Sequence, residues 1–460
     1  MPTAYTVLFA ILLVMTLLTW VIPSGAYDYG PDGEPIAGSY HRVEDAAQPL
    51  TAVVTAPLEG LYEAIDIAAF ILMVGGFLGV VAKTGAIDAG ISRIIEGLEG
   101  REMLLIPILM TAFALGGTTF GMAEETIAFY PLVLPIMVAA GYDTVTAVAT
   151  ILLGAGVGVI GSTVNPFATG IAAGFAGISL GEGILLRLVI LLVLLALAVW
   201  FVMRDAARVR KDPSQSLVAD HRSAHLEHFG GLRTEKKSLG GVQKIALVFF
   251  ALTFLVMVYA VIPFGEMGLP IPTLGWWFPQ LSALFLFASI VTGLCCRLGE
   301  EETVNSFVSG AAELLGVAFI IGVSRGITVI MNNGRITDTI LSWGEAALAG
   351  AGAMAFLVLV YLIYFPLSFL IPSTSGLATL SMPIMAPLAD FAGVGRDLVI
   401  TAFQSACGIV NLITPTSAVV MGALAIGRVP YDRWLRFSWK FIAGIFVLLL
   451  ALLCGGVLLS

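Results

Sequence analysis

The sequence predicts an all-α polytopic membrane protein made of two inverted repeats, and three observations lead to this prediction. Of its 460 residues, 58% are hydrophobic and 12% are charged, and the mean hydropathy is +0.99. Two apolar stretches, 116–170 and 371–422, are each interrupted by polar residues and helix breakers. The second stretch repeats the pattern of the first, with Pro383 and Pro387 matching Pro131 and Pro135. Broken helices at corresponding places in two halves are typical of binding sites in transporters.

Composition excludes several other classes of protein. The formal net charge of -9 gives no basis for nucleic-acid binding. The four cysteines lie in or beside apolar segments, a pattern that does not indicate a disulfide framework. The chain is therefore expected to have the lipid bilayer as its main surroundings.

The first transmembrane half is predicted to cover residues 1–203. A span at 4–22 has no basic region before it, which disfavours a cleavable signal peptide. A second span at 62–82 leads to an interfacial helix with Arg93 and Arg101. A re-entrant hairpin follows at about 103–139, since neither arm reaches the roughly 20 residues that crossing takes. A helix broken between Ser162 and Pro166 then covers about 144–177, and a span at 184–203 completes this half.

A basic linker at 204–241 separates this half from the second transmembrane half at 242–460. The basic linker is predicted to be cytoplasmic, and the loop charges also place the N-terminus in the cytoplasm. The second half has one extra span, so its hairpin at about 351–391 and its broken helix at about 398–426 enter from the opposite side. This gives about nine spans plus two hairpins. The other predicted spans of this half are 242–262, 279–296, 307–331 and 438–458.

The ends of the broken helices are the candidate site. A helix break exposes free N–H groups at one half-helix and free carbonyls at the other, which suit a carboxylate and a sodium ion. Single Ser or Thr residues in membrane helices more often bond to the backbone or to a neighbouring helix. Compact oxygen-bearing side chains at the breaks and the hairpin tips are Thr118, Thr119, Ser162, Thr163, Asn165, Ser373, Thr374, Ser375, Thr414, Thr416 and Ser417. A sodium ion near Thr163, Asn165, Thr414 and Ser417 is one coupling option, a proton is another, and no other cofactor is expected.

Charged side chains at membrane depth are the second set of candidates. Glu124 and Glu125 follow the first hairpin break, where they either cap the second arm or contact a substrate cation or a proton. Arg325 lies inside the span at 307–331, where it either pairs with this acidic pair or binds a carboxylate as a bidentate fork. Asn411 either adds a polar contact at the second break or makes an interhelical hydrogen bond.

The histidines disfavour an enzyme. All four lie in loops, so none can serve a proton relay, a metal site or a Ser/His pair within the membrane. Three of them, His221, His225 and His228, fall in the linker. They are interpreted as part of a solvated tract, and a metal site on a helix is the less favoured alternative.

At these motifs the chain resembles the YfcC family of the ion transporter superfamily. The motifs are GMAEETIAFYPLVLPIMVAAGYD at 121–143, GSTVNPFATGIAAGFAGIS at 161–179, IPSTSGLATLSMPIMAPLAD and NLITPTSAVVMGAL. The family is related to the anaerobic dicarboxylate carrier DcuC, to basic amino acid antiporters and, more distantly, to the AbgT and divalent anion/sodium symporter families. The resemblance implies a homodimer in the bacterial inner membrane, with an elevator-like movement of the hairpins and broken helices.

The sequence therefore predicts a secondary active transporter of a small carboxylate-bearing metabolite. A basic amino acid such as arginine or ornithine is favoured, because the acidic pair suits a cation. A four-carbon dicarboxylate is the alternative. A channel or a membrane receptor is less favoured.

Overall fold

The computed structural model describes residues 4–30, 35–87, 89–90, 101–179, 181–229, 240–261, 264–265 and 270–459. Within these ranges the protein has eighteen α-helices and one two-stranded antiparallel sheet of Gly25–Ala26 and His41–Arg42. The predicted interfacial helix with Arg93 and the linker residues 230–239 lie outside the described residues.

The described residues of the first half and the linker form nine helices. They are α1 Ala4–Leu18, α2 Ala52–Glu63, α3 Ile65–Lys83, α4 Leu105–Phe120, α5 Tyr130–Ala139, α6 Thr144–Ile160, α7 Ile171–Ala176, α8 Ile184–Lys211 and α9 Arg222–Phe229. Helices α4 and α5, joined through a 3-10 segment at Glu124–Phe129, form hairpin 1. Helices α6 and α7, with a π-helical turn at Pro166–Gly170 between them, form broken helix 1.

The second half contains the other nine. They are α10 Gly241–Val261, α11 Phe278–Cys295, α12 Glu300–Asn333, α13 Thr337–Leu348, α14 Ala353–Leu370, α15 Thr374–Ala392, α16 Arg396–Val410, α17 Ala418–Ile426 and α18 Tyr431–Leu459. Helices α14 and α15 form hairpin 2, and helices α16 and α17 form broken helix 2.

The protein is an all-α multi-pass membrane protein. Among the described residues, seven helices are long and apolar enough to cross a membrane. One of them is Glu102–Thr119, so the first arm of hairpin 1 reaches a spanning length that the sequence analysis did not assign to it. Helix α2, which precedes the predicted second span, was also not expected. It is separated from α3 by a break at Ala64.

One group of helices is built on close glycine contacts. Helix α12 packs along α2 and α3, and α1 and α11 pack beside them. A Cβ on Gly310 of α12 would lie 2.3 Å from the carbonyl oxygen of Gly75 on α3, which is closer than any side chain tolerates. Only glycine lets the two backbones approach this closely. Helix α12 is thereby held against α3.

The hairpins and broken helices form the second group. Helix α4 packs against α6, α14 packs against α16, and α7 packs against α15. The N-cap of α6 is Asp143, whose Oδ1 accepts a hydrogen bond from the N–H of Thr146 at 2.8 Å. Helix α12 meets this group mainly at α17. There the Ser324 hydroxyl donates a hydrogen bond to the carbonyl of Thr416.

Candidate functional site

The tip of hairpin 1 turns through a left-handed glycine. Gly121 has a φ of +73°, a conformation that costs other residues about 1–2 kcal/mol. A Cβ on Gly121 would lie 2.6 Å from Nδ2 of Asn165 in broken helix 1. The backbone of the tip therefore rests directly on the Asn165 side chain.

The acidic pair follows this turn, at the start of the 3-10 segment. The Glu125 side chain is 8% exposed, and its Oε2 accepts a hydrogen bond from the N–H of Ala123 at 3.2 Å. Glu124 is partly buried, and its side chain makes no hydrogen bond or ion pair within the described part of the chain. Glu125 thus caps the tip, while Glu124 is left available to a ligand.

The break in broken helix 1 is held to the tip of hairpin 1. The Thr118 hydroxyl donates a hydrogen bond to the carbonyl of Gly161 at 2.8 Å, and it accepts one from the N–H of Thr163 at 3.0 Å. These contacts satisfy backbone groups that the break would otherwise leave open. The Ser162 hydroxyl pairs with that of Thr169 at 2.5 Å, and the Thr119 hydroxyl donates to the carbonyl of Leu115 in its own helix.

The break in broken helix 2 is held to hairpin 2 in a similar way. The Thr416 hydroxyl donates to the carbonyl of Phe369 at 2.8 Å, and it lies 2.7 Å from the hydroxyl of Thr414. Ser417 follows as the N-terminal flanking residue of α17. Both breaks thus use a threonine hydroxyl to connect the broken helix to a hairpin.

The tip of hairpin 2 presents the start of a helix. The Ser373 hydroxyl accepts a hydrogen bond from the N–H of Gly376 at 3.2 Å and so caps α15. The Asn411 Nδ2 donates to the Thr374 hydroxyl at 3.3 Å. The Asn411 Oδ1 is buried and has no hydrogen-bond partner among the described residues. A buried oxygen of this kind is an acceptor open to a ligand or a water molecule.

Arg325 comes from the other group of helices. It lies in α12 and is partly buried. In the described ranges its side chain makes neither a hydrogen bond nor an ion pair, so the first of its two predicted roles, pairing with Glu124 or Glu125, does not occur. An uncompensated guanidinium at membrane depth is costly unless a ligand or water satisfies it.

A cavity of about 330 Å³ brings these groups together. It is lined by nine of the fifteen residues that the sequence predicted, namely Glu124, Glu125, Asn165, Arg325, Ser373, Thr374, Ser375, Asn411 and Ser417. The other six predicted residues do not line it, namely Thr118, Thr119, Ser162, Thr163, Thr414 and Thr416. Of the four residues suggested for sodium, Asn165 and Ser417 thus line the cavity, and Thr163 and Thr414 do not.

The aromatic part of the lining was not predicted from the sequence. Trp277 and Phe278, at the start of α11, both line the cavity, and their ring centroids lie 5.0 Å apart. Phe278 is 4% exposed and packs on Phe70 of α3. In the sequence these two residues appear only as an aromatic pair at the start of an apolar helix. Such pairs are also common where helices meet the membrane interface, so the pair does not by itself indicate a cavity.

A second, wider cavity of about 1490 Å³ lies between the two groups of helices. Residues of α3 and α12 line one side, and residues of α5 and α17 line the other. Along α12 its lining extends to Ile320, and Arg325 follows about 7.5 Å further along the helix axis. The wider cavity therefore approaches the smaller one along α12.

Comparisons with known proteins give the family. The profile of the C4-dicarboxylate anaerobic carrier family, DcuC, matches residues 1–458. A protein of Haemophilus influenzae is 33% identical over the whole of this chain and 96% of its own length. YfcC of Escherichia coli, provisionally named a basic amino acid antiporter, is 31% identical over the whole of this chain and 97% of its own length.

Two solved structures resemble the chain over nearly its full length. The Neisseria gonorrhoeae protein MtrF, described among antimetabolite efflux pumps, has a TM-score of 0.43 and 17% identity and covers 99% of this chain and 95% of its own. The Alcanivorax borkumensis transporter YdaH has a TM-score of 0.41 and 13% identity and covers 98% of each chain. The full-length profile match and the two relatives above 30% identity decide the assignment: the chain is a membrane transporter that belongs to the C4-dicarboxylate anaerobic carrier (DcuC) family.

Proposed function

We propose that the protein is a secondary active transporter that exchanges a small carboxylate-bearing metabolite, with a basic amino acid such as arginine or ornithine as its substrate. The observation that carries the proposal is the cavity between the two hairpin tips. There an arginine and a glutamate, Arg325 and Glu124, line the same space without an ion pair to each other. A substrate with both a carboxylate and a cation would satisfy both side chains.

The balance of charge in the cavity supports a cationic substrate. Two carboxylates and one guanidinium line it, which leaves one net negative charge when all three are ionised. Arginine and ornithine carry two cationic groups and one carboxylate, so either would neutralise the site. Succinate or fumarate would add two negative charges to a site that is already negative. Uncompensated charge at membrane depth is costly, and this favours the basic amino acid.

A four-carbon dicarboxylate is the second candidate, and the helix ends support it. Ser373 at the start of α15 and Ser417 at the start of α17 both line the cavity. Each helix N-terminus carries free N–H groups and about half a unit of positive charge, which stabilises a carboxylate.

The proposed mechanism is alternating access. The hairpins and broken helices would move as a transport domain against the α2, α3 and α12 group, with the wider cavity as the path on one side of the membrane. We propose that the two halves are inverted repeats, that the N-terminus is cytoplasmic, and that the protein is a homodimer in the bacterial inner membrane. Coupling to sodium at Asn165 and Ser417, or to a proton on the acidic pair, completes the proposal.

Counterflow in proteoliposomes tests the function. The vesicles are loaded with unlabelled arginine, ornithine, lysine, succinate or fumarate, and the matching labelled compound is added outside with and without sodium. Accumulation with a basic amino acid supports the first candidate, and accumulation only with a dicarboxylate supports the second. Saturable counterflow also excludes a channel or a receptor, and the absence of counterflow with all five compounds would overturn both candidates.

A further inference from the structure

The linker after α8 folds onto the ends of the broken helices. Residues 212–229 form two short 3-10 turns, Pro213–Gln215 and Ala219–His221, followed by α9. The prediction of a solvated tract for the linker histidines is wrong for His225, which is 5% exposed. Within the part of the chain that the structure describes, no group of three or more His, Cys, Asp or Glu residues could hold a metal ion.

Both ring nitrogens of His225 bond to different helices. Its Nε2 lies 3.2 Å from the carbonyl oxygen of Arg428, directly after α17, and its Nδ1 lies 3.2 Å from the hydroxyl of Thr144, the first residue of α6. A carbonyl oxygen only accepts, so Nε2 carries a proton, and in the neutral ring Nδ1 accepts from the threonine hydroxyl. This arrangement uses the neutral imidazole.

Further contacts tie the same segment to the same region. The Ser216 hydroxyl donates to Oδ2 of Asp143, the N-cap of α6, at 2.5 Å. The guanidinium of Arg433 in α18 donates to the carbonyl of Leu217 at 2.9 Å and to Oδ2 of Asp220 at 3.1 Å. The segment therefore bonds to the start of α6, to the end of α17 and to the start of α18.

The two helices that His225 joins both reach the substrate cavity at their other ends. Helix α6 has 17 residues and is about 26 Å long, and Val159 near its far end lines the cavity. Helix α17 starts beside Ser417, which lines the cavity, and runs about 14 Å back to the contact with His225. A shift at His225 would therefore change the position of Val159 in α6 relative to Ser417 at the start of α17.

We propose that residues 212–229 act as a clasp, and that His225 is the positioning residue that holds α6 and α17 in one rigid unit during exchange. The effect of the clasp on rate rests on the proposed transport function. The clasp itself rests on the contacts alone, so the two can be tested separately.

The surroundings of His225 make the clasp sensitive to acid. Burial is the main cause that lowers the pKa of His225, and the charges of His221 and Arg428 act in the same direction. The hydrogen bond to the carbonyl of Arg428 and the carboxylate of Asp143 oppose them. Arg222 also faces the small cavity of about 90 Å³ beside the ring. Protonation would therefore place a second positive charge beside Arg428, and the clasp is expected to loosen.

The first experiment compares His225→Ala with His225→Gln in the full-length protein in proteoliposomes. Glutamine has one donor and one acceptor and can replace both bonds of the neutral ring. For His225→Ala, which loses both hydrogen bonds of the ring, we expect kcat for exchange to fall at least about fivefold, the equivalent of one hydrogen bond, with little change in KM. The glutamine variant should restore kcat. It should also lack the fall in rate that we expect of the wild type as the pH falls below about 6.5, the ordinary histidine pKa, towards the lower pKa of the buried ring.

The matched control is His41→Gln, at an exposed histidine of the small sheet, which should keep the wild-type rate and pH profile. A wild-type kcat and pH profile in His225→Ala would overturn the clasp. So would a glutamine variant as slow as the alanine variant.

The second experiment does not depend on any substrate. Hydrogen–deuterium exchange in lipid nanodiscs should show faster exchange in His225→Ala at both 144–147 and 425–429, and wild-type exchange in His225→Gln. If the wild type exchanges none of the five compounds, the proposed function fails, yet this measurement still decides the clasp. Unchanged exchange at both segments in the alanine variant would overturn it.

Discussion

Thr118 and Thr163 lie 45 residues apart in the chain and are joined by their side chains and backbone. Their hydroxyl oxygens are 3.0 Å apart, and the N–H of Thr163 donates to the Thr118 hydroxyl at 3.0 Å. The Thr163 N–H also lies 3.2 Å from the carbonyl oxygen of Thr118. The tip of hairpin 1 and the break in broken helix 1 are therefore one structural unit, and the cavity is built on that unit.

Thr118→Val should destabilise this unit. The change removes the hydroxyl that donates to the Gly161 carbonyl, and a buried polar group that loses its partner costs about 1–3 kcal/mol. The Thr163 N–H keeps the carbonyl of Thr118 as an acceptor. Thr119→Val is the matched control, because the Thr119 hydroxyl bonds within its own helix. We expect a lower Tm for the first variant and a Tm near wild type for the second. Equal values would show that the hydroxyl bridge contributes nothing.

Glu124→Gln should weaken binding of arginine about 30-fold or more, since losing one partner of a buried charge pair costs about 2 kcal/mol or more. Glu125→Gln should have a smaller effect, because the amide oxygen can still accept from the N–H of Ala123. Isothermal titration calorimetry on the purified protein gives both Kd values. Unchanged arginine affinity in both variants would remove the main physical support for a basic amino acid.

Arg325→Gln should weaken the binding of every carboxylate substrate, whether the substrate is a basic amino acid or a dicarboxylate. Arg325→Lys should recover part of the affinity, since it keeps the charge but loses the planar fork. Arg297→Gln is the control, because Arg297 is exposed between α11 and α12. The KM of counterflow in the three variants provides the comparison. A wild-type KM in Arg325→Gln would remove this residue from the site.

Asn165→Ala and Thr416→Ala should each abolish transport while the protein stays folded in the membrane. Asn165 lines the cavity and supports the tip at Gly121, and the Thr416 hydroxyl connects the second break to hairpin 2. Size-exclusion chromatography checks folding, and counterflow checks transport. Normal uptake by both variants would refute the assignment of the site to the two breaks.

The stability of the protein should fall as the pH falls through the histidine range, in part because of His225. Burial lowers the pKa of His225 in the folded state, so the unfolded chain binds its proton first as the pH falls below about 6.5. The stabilisation is therefore complete above that pH and is lost as the pH approaches the lower folded-state pKa. Thermal unfolding at about pH 7.5 and about pH 5.5 should show a smaller difference in Tm for His225→Gln than for the wild type.

Much of the helical plan follows from local signals. Each break coincides with prolines, glycines and clustered hydroxyl side chains, as at Ser162 and Thr414, and these residues mark a break whatever surrounds them. The break at Ala64 carries no such signal, so the separation of α2 from α3 could not be predicted.

The direction in which a polar side chain points could not be predicted from the sequence. Thr163 and Asn165 are two positions apart, yet the first bonds to Thr118 and the second lines the cavity. Which of the two side chains faces the cavity depends on where hairpin 1 packs. That packing is a contact between residues about 45 positions apart in the chain. His225 shows the same limit, because its burial depends on Arg428, 203 positions away.

The glycine contact between α3 and α12 gives Arg325 a particular part in the proposed exchange cycle. A Cβ at Gly75 or Gly310 would clash with the other helix, so the two backbones pack too closely for side chains to pass between them at this point. If this packing persists during exchange, Arg325 would stay at a fixed depth while the hairpins travel. The substrate carboxylate would then move away from the Arg325 guanidinium as the hairpins move. The loss of this attraction would favour release of the substrate. Spin labels should report a constant distance between α3 and α12 during exchange and a changing distance between α12 and α15.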